Sequence, residues 1–311
     1  MSDTTAGEHR AGGTAPHIDE TSTGFDTVLV LDFGAQYGQL IARRVRECRV
    51  YSQLIPHDTP IQEIAARKPK GLIFSGGPMS VYVDGAPRPD PALYDLGIPI
   101  LGICYGAQLM ALQLGGDVAK TGVREFGKTQ LRVAHNGLLL DGLADEEQCW
   151  MSHGDAIAAA PGGFTALAET DRAPVAAMED RARGMYAVQF HPEVVHTPRG
   201  MDVLKNFLYE ACDCTPTWTP ASIIEEQVRR IREQVGPTDK AVLGLSGGVD
   251  SSVAAVLVHK AIGDRLICVF IDQGMMRWNE AEHVVEMFTE HLGIPLIAVD
   301  AKKRFLDKLV G

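Results

Sequence analysis

The stretch PILGICYGAQLMALQLGG, residues 99–116, decides the reading of the first half of the chain. Pro99 to Ile103 is a short apolar run suited to a buried strand, and Gln108 to Leu114 reads as an apolar helix ending at Gly115-Gly116. Cys104 then falls in a sharp strand-to-helix turn between Gly102 and Gly106. This G-x-C-x-G pattern is the thiol counterpart of a nucleophile elbow, in which flanking glycines let the backbone take strained angles and the side chain projects toward substrate. The positive end of a helix and its free N–H groups also suit an anion at that position. The other reading of a thiol in an apolar run is a buried structural cysteine, and the elbow alone does not choose between them.

Working outward toward the N-terminus, Thr27 to Asp32 reads as a strand, and a helix from about Gln36 to Cys48 carries Leu40, Ile41, Val45 and Cys48 on one face. A strand near Val50 to Ile55 and a helix near Ile61 to Lys68, stopped by Pro69, repeat the pattern. Strands alternating with helices predict a mostly parallel sheet. Gly71 to Phe74 is the next strand, and Ser75-Gly76-Gly77-Pro78 follows it directly. Two glycines at the carboxyl end of a parallel strand present backbone N–H groups at the ligand crevice, a candidate oxyanion hole beside Cys104. Residues 1–24 lack apolar periodicity and read as a disordered tail.

Toward the C-terminus, Lys128 to Ala134 is strand-like, and a loop Ser152-His153-Gly154-Asp155 follows Cys149-Trp150-Met151. Strands are expected at Val175 to Met178 and Gly184 to Phe190, the second ending in His191-Pro192-Glu193, with a helix from Met201 to Cys212. A histidine and a glutamate two residues apart at a strand end can both face a cleft, one as base and the other holding its ring.

The 311 residues suggest about two domains. A net charge of -11 disfavours non-specific binding to nucleic acid or an anionic membrane surface. Six cysteines without framework spacing and no signal-like start point to a reducing cytoplasm. Cys212-x-Cys214 has no second Cys/His pair at metal-finger spacing and reads as a pair of linker-edge thiols. No run reaches the ~18 apolar residues of a membrane span.

Residues 27 to about 211 resemble the class I, triad-type glutamine amidotransferases through GICYGAQ at 102–108, SGGP at 75–78, SHGD at 152–155 and QFHPE at 189–193. The resemblance implies a flavodoxin-like domain with Cys104 as nucleophile, His191 as base and acid, and Glu193 as its orienting partner. It implies an oxyanion hole at the N–H groups of Gly77 and Tyr105. Gln108, Ser152, His153, Gly154 and Asp155 are the expected glutamine contacts.

Cys212 to Ala221 (CDCTPTWTPA) reads as a linker and Ser222 to Gln234 as a helix capped by Ser222 and Glu225. Lys240 to Leu245 is a strand, Ser246-Gly247-Gly248-Val249-Asp250-Ser251-Ser252 a loop, and Val253 to Ile262 a helix, an order that offers N–H groups to phosphate. No Gly-Lys-Ser/Thr is present, so hydroxyls and backbone form the cradle, with Asp250 placed to hold Mg²⁺. A strand at Leu266 to Asp272, a helix from Asn279 to Leu292 with Asn279 and Glu282 as capping pair, a strand at Pro295 to Val299 and a helix from Lys302 to Leu309 complete the chain. Asp272 stands where the crevice rule puts an adenosine or metal contact.

SGGVDSS resembles the pyrophosphate loop of the ATP pyrophosphatases, which implies an adenine-nucleotide α-hydrolase-like second domain. The expected organisation is a tail at 1–24, an amidotransferase at 25–211, a linker at 212–221 and an incomplete pyrophosphatase at 222–311, both domains α/β with mostly parallel sheets. The pairing, with FIDQGMMR at 270–277 and DAKKRFL at 300–306, resembles the glutamine-hydrolysing GMP synthase family. That resemblance implies glutamine, ATP with Mg²⁺ and XMP as substrates, ammonia passing between domains, and a homodimer for full-length members. Members continue with a dimerisation domain that binds much of XMP. The resemblance implies amination of XMP to GMP through an adenyl-XMP intermediate; since the chain ends at Gly311, the alternative is a fragment, monomeric in place of the homodimer, competent only as a glutaminase or nucleotide-binding module with no XMP amination. NAD synthetase, with a similar pyrophosphate loop, is the other acceptor chemistry.

Overall fold

The computed structural model describes residues 24–309, and of residues 120–124 the backbone only. The expected tail, Gly24 apart, falls outside the described residues. Two compact units divide the described chain, one ending at Thr219 and the other beginning at Pro220.

The first unit is built on a nine-stranded sheet. Strands β1 (Thr27–Asp32), β2 (Tyr51–Pro56), β3 (Gly71–Phe74), β4 (Ile100–Ile103) and β9 (Met185–Val188) pair in parallel in the order β2-β1-β3-β4-β9. Their apolar runs do not alternate because helices cover the sheet, and β3, β4 and β9 are buried at every residue. The sheet continues antiparallel from β9 through β8 (Ala177–Asp180) and β7 (Thr165–Glu169) to the long pair β5 (Asp117–Val133) and β6 (Glu146–Ala159). Parallel pairing thus holds for the half of the sheet that carries the crossover helices α1 (Gly38–Glu47), α2 (Ile61–Ala66) and α3 (Tyr105–Gln113). Helix α4 (Gly200–Lys205) runs on through π-helical turns at Asn206–Ala211.

Several local expectations change. Helix α3 starts at Tyr105, directly after Cys104, and not at Gln108. Ser152 to Asp155 lie within β6, because their pairing with β5 makes them strand and not loop. Cys212 and Cys214 are 3% and 5% exposed and belong to the core of the first unit. Cys212 reaches it because Gly71 has no side chain: a Cβ there would stand 2.4 Å from Cys212 Sγ. The stretch read as linker stays on this unit as far as Trp218, whose N–H donates to the Arg49 carbonyl.

The second unit has a three-stranded parallel sheet, β10 (Ala241–Leu245), β11 (Leu266–Asp272) and β12 (Leu296–Asp300), with helices α5 (Pro220–Val235), α6 (Val249–Ile262), α7 (Glu280–Glu286) and α8 (Lys302–Leu309). Helix α5 begins at Pro220 and not at Ser222, since proline suits a first turn whose N–H groups have no intrahelical acceptor. Helix α6 begins at Val249, which puts Asp250, Ser251 and Ser252 in its first turn and leaves Ser246–Gly248 as the loop. The Asn279–Glu282 capping pair does not form. Asn279 takes a left-handed conformation (φ 56°), and Glu280 Oε2 instead accepts the Arg277 N–H at 2.8 Å.

Candidate active site

Cys104 joins β4 to α3 with φ 52° and ψ −105°, a conformation uncommon for a residue with a side chain and of the kind that concentrates at active sites. The strain therefore sits on the cysteine and not on its flanking glycines. Gly102 and Gly106 serve close approach instead. A Cβ on Gly102 would stand 2.8 Å from the Ala107 nitrogen, and one on Gly106 would stand 2.5 Å from the Phe74 carbonyl oxygen. Without those side chains the helix start is drawn onto the strand ends.

Four chain segments meet at this turn. The β3 loop passes Cys104 so closely that a Cβ on Gly76 would lie 3.8 Å from Cys104 Cβ and 3.2 Å from His191 Cε1. The Gly77 and Tyr105 N–H groups have no acceptor among the described residues, as a helix start and a loop end leave them. His191 follows β9, and its Nδ1 is 2.8 Å from Glu193 Oε1. Both residues are buried, Glu193 at 0% exposure, and the Glu193 carbonyl is held by Arg44 Nε at 2.9 Å.

Burial by itself would push the His191 imidazole down. The neighbouring Cys104 sulfur, with Glu193 behind the ring, outweighs this and holds His191 well above the usual histidine range. Burial pushes the Cys48 thiol up to about 11 and the Cys149 thiol up to about 12, so neither is a nucleophile near neutral pH.

A cleft of about 570 Å³ opens over Cys104, walled by Gly77 to Ser80 on one side and Ser152 to Asp155 of β6 on the other. Cys104 Sγ lies 3.6 Å from the Ser152 carbonyl oxygen. Gln108 is 3% exposed, and its Nε2 donates to the Asp155 carbonyl at 2.6 Å and to Gln189 Oε1 at 3.3 Å. The structure thus gathers Gly77, Cys104, Tyr105, Gln108 and residues 152–155 around one cleft, with His191 and Glu193 behind Cys104.

Sequence reasoning gave no role to Arg44, Glu125 or Gln189. Gln189 stands inside the QFHPE run and was legible there. Arg44 and Glu125 carried no local signal, because their partners are 149 and 28 residues away.

In the second unit, the Ser246 to Gly248 loop leaves β10 at its carboxyl end, beside that of β11. Gly247 takes φ +81°, Ser246 Oγ lies 3.1 Å from Ser251 Oγ, and the Gly248 N–H donates to Ser246 Oγ at 3.3 Å. Ser251 and Ser252 hydroxyls cap the Gly248 carbonyl, while Val249 and Asp250 are exposed. Asp272 does not stand free: its Oδ1 accepts the Gly274 N–H at 2.9 Å and its Oδ2 lies 3.0 Å from Lys302 Nζ. The Gly274 N–H first, and Lys302 with it, hold the Asp272 carboxyl below its ordinary value. Among the described residues no group of three or more His, Cys, Asp or Glu side chains is placed to hold a metal ion.

Residues 29–211 match the family described as glutamine amidotransferase class-I, and residues 223–307 match NAD synthase. The chain is 58% identical over 287 residues to the GMP synthase [glutamine-hydrolyzing] of Thermobifida fusca (strain YX), covering 92% of this chain and 54% of that one. The protein of the same name from Carboxydothermus hydrogenoformans is 58% identical over 284 residues, covering 91% and 56%. The chain spans about half the length of the curated relatives it matches. A crystal structure from Thermoplasma acidophilum, of a protein named as one component of a GMP synthase, is 33% identical with a TM-score of 0.53, covering 61% of this chain and 94% of that one. With its elbow cysteine, its histidine–glutamate pair and a family match over residues 29–211, the chain belongs to the class I glutamine amidotransferases.

Proposed function

We propose that the first unit hydrolyses glutamine to glutamate and ammonia. The observation that carries this reading is Cys104 on its strained turn, with the His191–Glu193 pair behind it and unpartnered N–H groups at Gly77 and Tyr105. Cys104 gives its thiol proton to His191 as the sulfur attacks the side-chain amide carbon, and the amide oxygen becomes the oxyanion that the Gly77 and Tyr105 N–H groups receive. Each such donor is typically worth ~100 to 1,000-fold in rate. His191 protonates the leaving nitrogen, the C–N bond breaks, and a glutamyl thioester and ammonia result. His191 then takes a proton from water, the hydroxide adds to the thioester, and the C–S bond breaks to give glutamate and regenerate the thiol.

The second unit is read as the part that activates the acceptor. MgATP adenylates the C2 oxygen of XMP with loss of pyrophosphate, and ammonia displaces AMP to give GMP. The 58% identity to GMP synthases supports XMP as acceptor over the alternative suggested by the NAD synthase match. Ser246 to Ser252 would receive the phosphates through hydroxyls, N–H groups and the start of α6. The exposed Asp250 carboxylate in the first turn of α6 would hold a Mg²⁺ that arrives with the nucleotide. The ion would neutralise charge developing on the pyrophosphate. Six unpaired cysteines support a reducing compartment, the cytoplasm, and no described helix is long and apolar enough to cross a membrane. A homodimer belongs to the same reading.

The test is glutamate release by the chain and by Cys104→Ala, with and without XMP and MgATP, with GMP assayed in the same tubes. Glutamate from the parent and none from the variant supports the glutaminase. GMP in the same tubes supports the amination, and glutamate without GMP confines the chain to the first step. No glutamate under any condition overturns the reading.

A further inference from the structure

Beneath the β6 wall of the cleft lies a polar cluster that the thiol mechanism does not use. Glu125 of β5 stands directly opposite His153 of β6, and their side chains are 7% and 1% exposed. Glu125 Oε2 lies 3.1 Å from His153 Nε2, and Thr170, just beyond β7, places its hydroxyl 3.2 Å from both carboxylate oxygens. Thr170 is itself fixed, its Oγ1 accepting the Ala173 N–H at 3.0 Å. Three segments distant in sequence thus converge on one buried carboxylate.

The location gives the cluster its meaning. The β5–β6 ladder shifts register between Lys120 and Glu125. Pairing resumes at Glu125–His153, next to the Ser152 carbonyl that faces Cys104 Sγ and two residues from the Asp155 carbonyl that holds Gln108. A proton on His153 Nε2 satisfies the hydrogen bond to Glu125 Oε2 at 3.1 Å. Burial, which outweighs Glu125 and the Asp155 backbone, holds the His153 imidazole below its ordinary value. Nδ1 is buried and has no hydrogen-bond partner among the described residues, so the Glu125 contact at Nε2 is the side-chain hydrogen bond that orients the ring.

We propose that Glu125 is a positioning residue for glutamine: by locking His153 as the Nε2–H tautomer at the edge of the register shift, it fixes the Ser152 to Asp155 backbone that walls the cleft. This rests on the glutaminase reading of that cleft. A wall that has lost its anchor binds the amino acid poorly, while the Cys104, His191 and Glu193 geometry, built on β4 and β9, remains.

The experiment compares Glu125→Leu, Glu125→Gln and Thr170→Val with the parent chain. Glutamine kinetics are read alongside labelling of Cys104 by two reagents: a glutamine-shaped diazoketone, which needs the cleft, and iodoacetamide, which does not. Glu125→Leu should raise KM for glutamine by about 10- to 100-fold with kcat within about 3-fold, the size of loss expected from misplaced binding groups. It should slow diazoketone labelling by a similar factor and leave iodoacetamide labelling unchanged. Glu125→Gln, which keeps an acceptor for Nε2–H, should recover most of the KM. Thr170→Val should shift KM the same way by less. In ¹⁵N spectra of the parent, His153 should show a protonated Nε2 and an unprotonated Nδ1. An unchanged KM in Glu125→Leu, equal losses with both reagents, or a protonated Nδ1 would overturn the proposal. If the parent is labelled by iodoacetamide but neither hydrolyses glutamine nor takes the diazoketone, the glutaminase reading itself falls; the histidine tautomer still reports on Glu125 separately.

Discussion

Gly106 passes so close to Phe74 that a Cβ at position 106 would stand 2.5 Å from the Phe74 carbonyl oxygen and 2.6 Å from Phe74 Cβ. The contact presses the first turn of α3 onto the end of β3, and Cys104 takes up the strain. Gly106→Ala should therefore lower stability by about 1–3 kcal/mol, the usual cost of overpacking a filled interior, and should move Cys104 off its turn. Urea unfolding and glutamate release are the measurements; an alanine variant of parental stability and rate would show that the turn has slack.

Gly77 offers a separate test of the oxyanion site. A Cβ there would meet the Tyr105 ring at 3.0 Å and the Phe33 carbonyl oxygen at 3.1 Å, so the loop must shift and carry the Gly77 N–H with it. Loss of one aligned donor predicts a fall in kcat on the order of 100-fold, with a smaller change in KM. Steady-state kinetics of Gly77→Ala decide this, and a loss confined to KM would count against an oxyanion role.

The two buried histidines should give stability profiles of opposite slope. His191 is held above its unfolded value, so its contribution is complete below about pH 6.5 and is lost as pH rises through the raised folded value. His153 is held below its unfolded value. Under about pH 6.5 the unfolded chain gains a proton that folded His153 refuses, so stability falls with pH until the depressed folded value is reached. Hydrogen exchange in β6 read across pH should show the alkaline slope flattened in His191→Gln and the acid slope flattened in His153→Gln. A variant that keeps its slope assigns that slope to another group.

In the second unit, Gly247 at φ +81° leaves a Cβ only 3.3 Å from Val284 Cγ2. Gly247→Ala should cost about 1–2 kcal/mol through the left-handed conformation alone and should open the Ser246–Gly248 turn. The rise in unfolding temperature on adding MgATP should be smaller in the variant than in the parent. An equal rise would place the phosphates elsewhere.

Much of this was legible in the chain. The runs TVLVLD and GLIF form buried parallel strands within the bounds that their apolar residues mark, since a strand covered on both faces has no polar alternation to blur its ends. The cysteine elbow and the His191–Glu193 pair were also legible, because each is a local constellation whose spacing alone brings its groups together. Helix starts were less so. Whether Ser152 to Asp155 is loop or strand, or Val249 to Ser252 loop or helix, depends on pairing or capping partners outside the segment.

The sequence by itself determined the order of strands and helices from β1 to α3 and from β10 to α8, the two Gly-rich turns and the identity of the thiol with its histidine and glutamate. Each is a pattern of residues near one another in sequence. Only the tertiary structure decided that the strain lies on Cys104 while Gly102 and Gly106 give clearance, and that Cys212 and Cys214 are core residues. It alone placed Glu125 and Thr170 under the cleft. The physical reason is register: a buried carboxylate requires donors, and which donors reach it is set by strand pairing across dozens of residues, which no local pattern encodes.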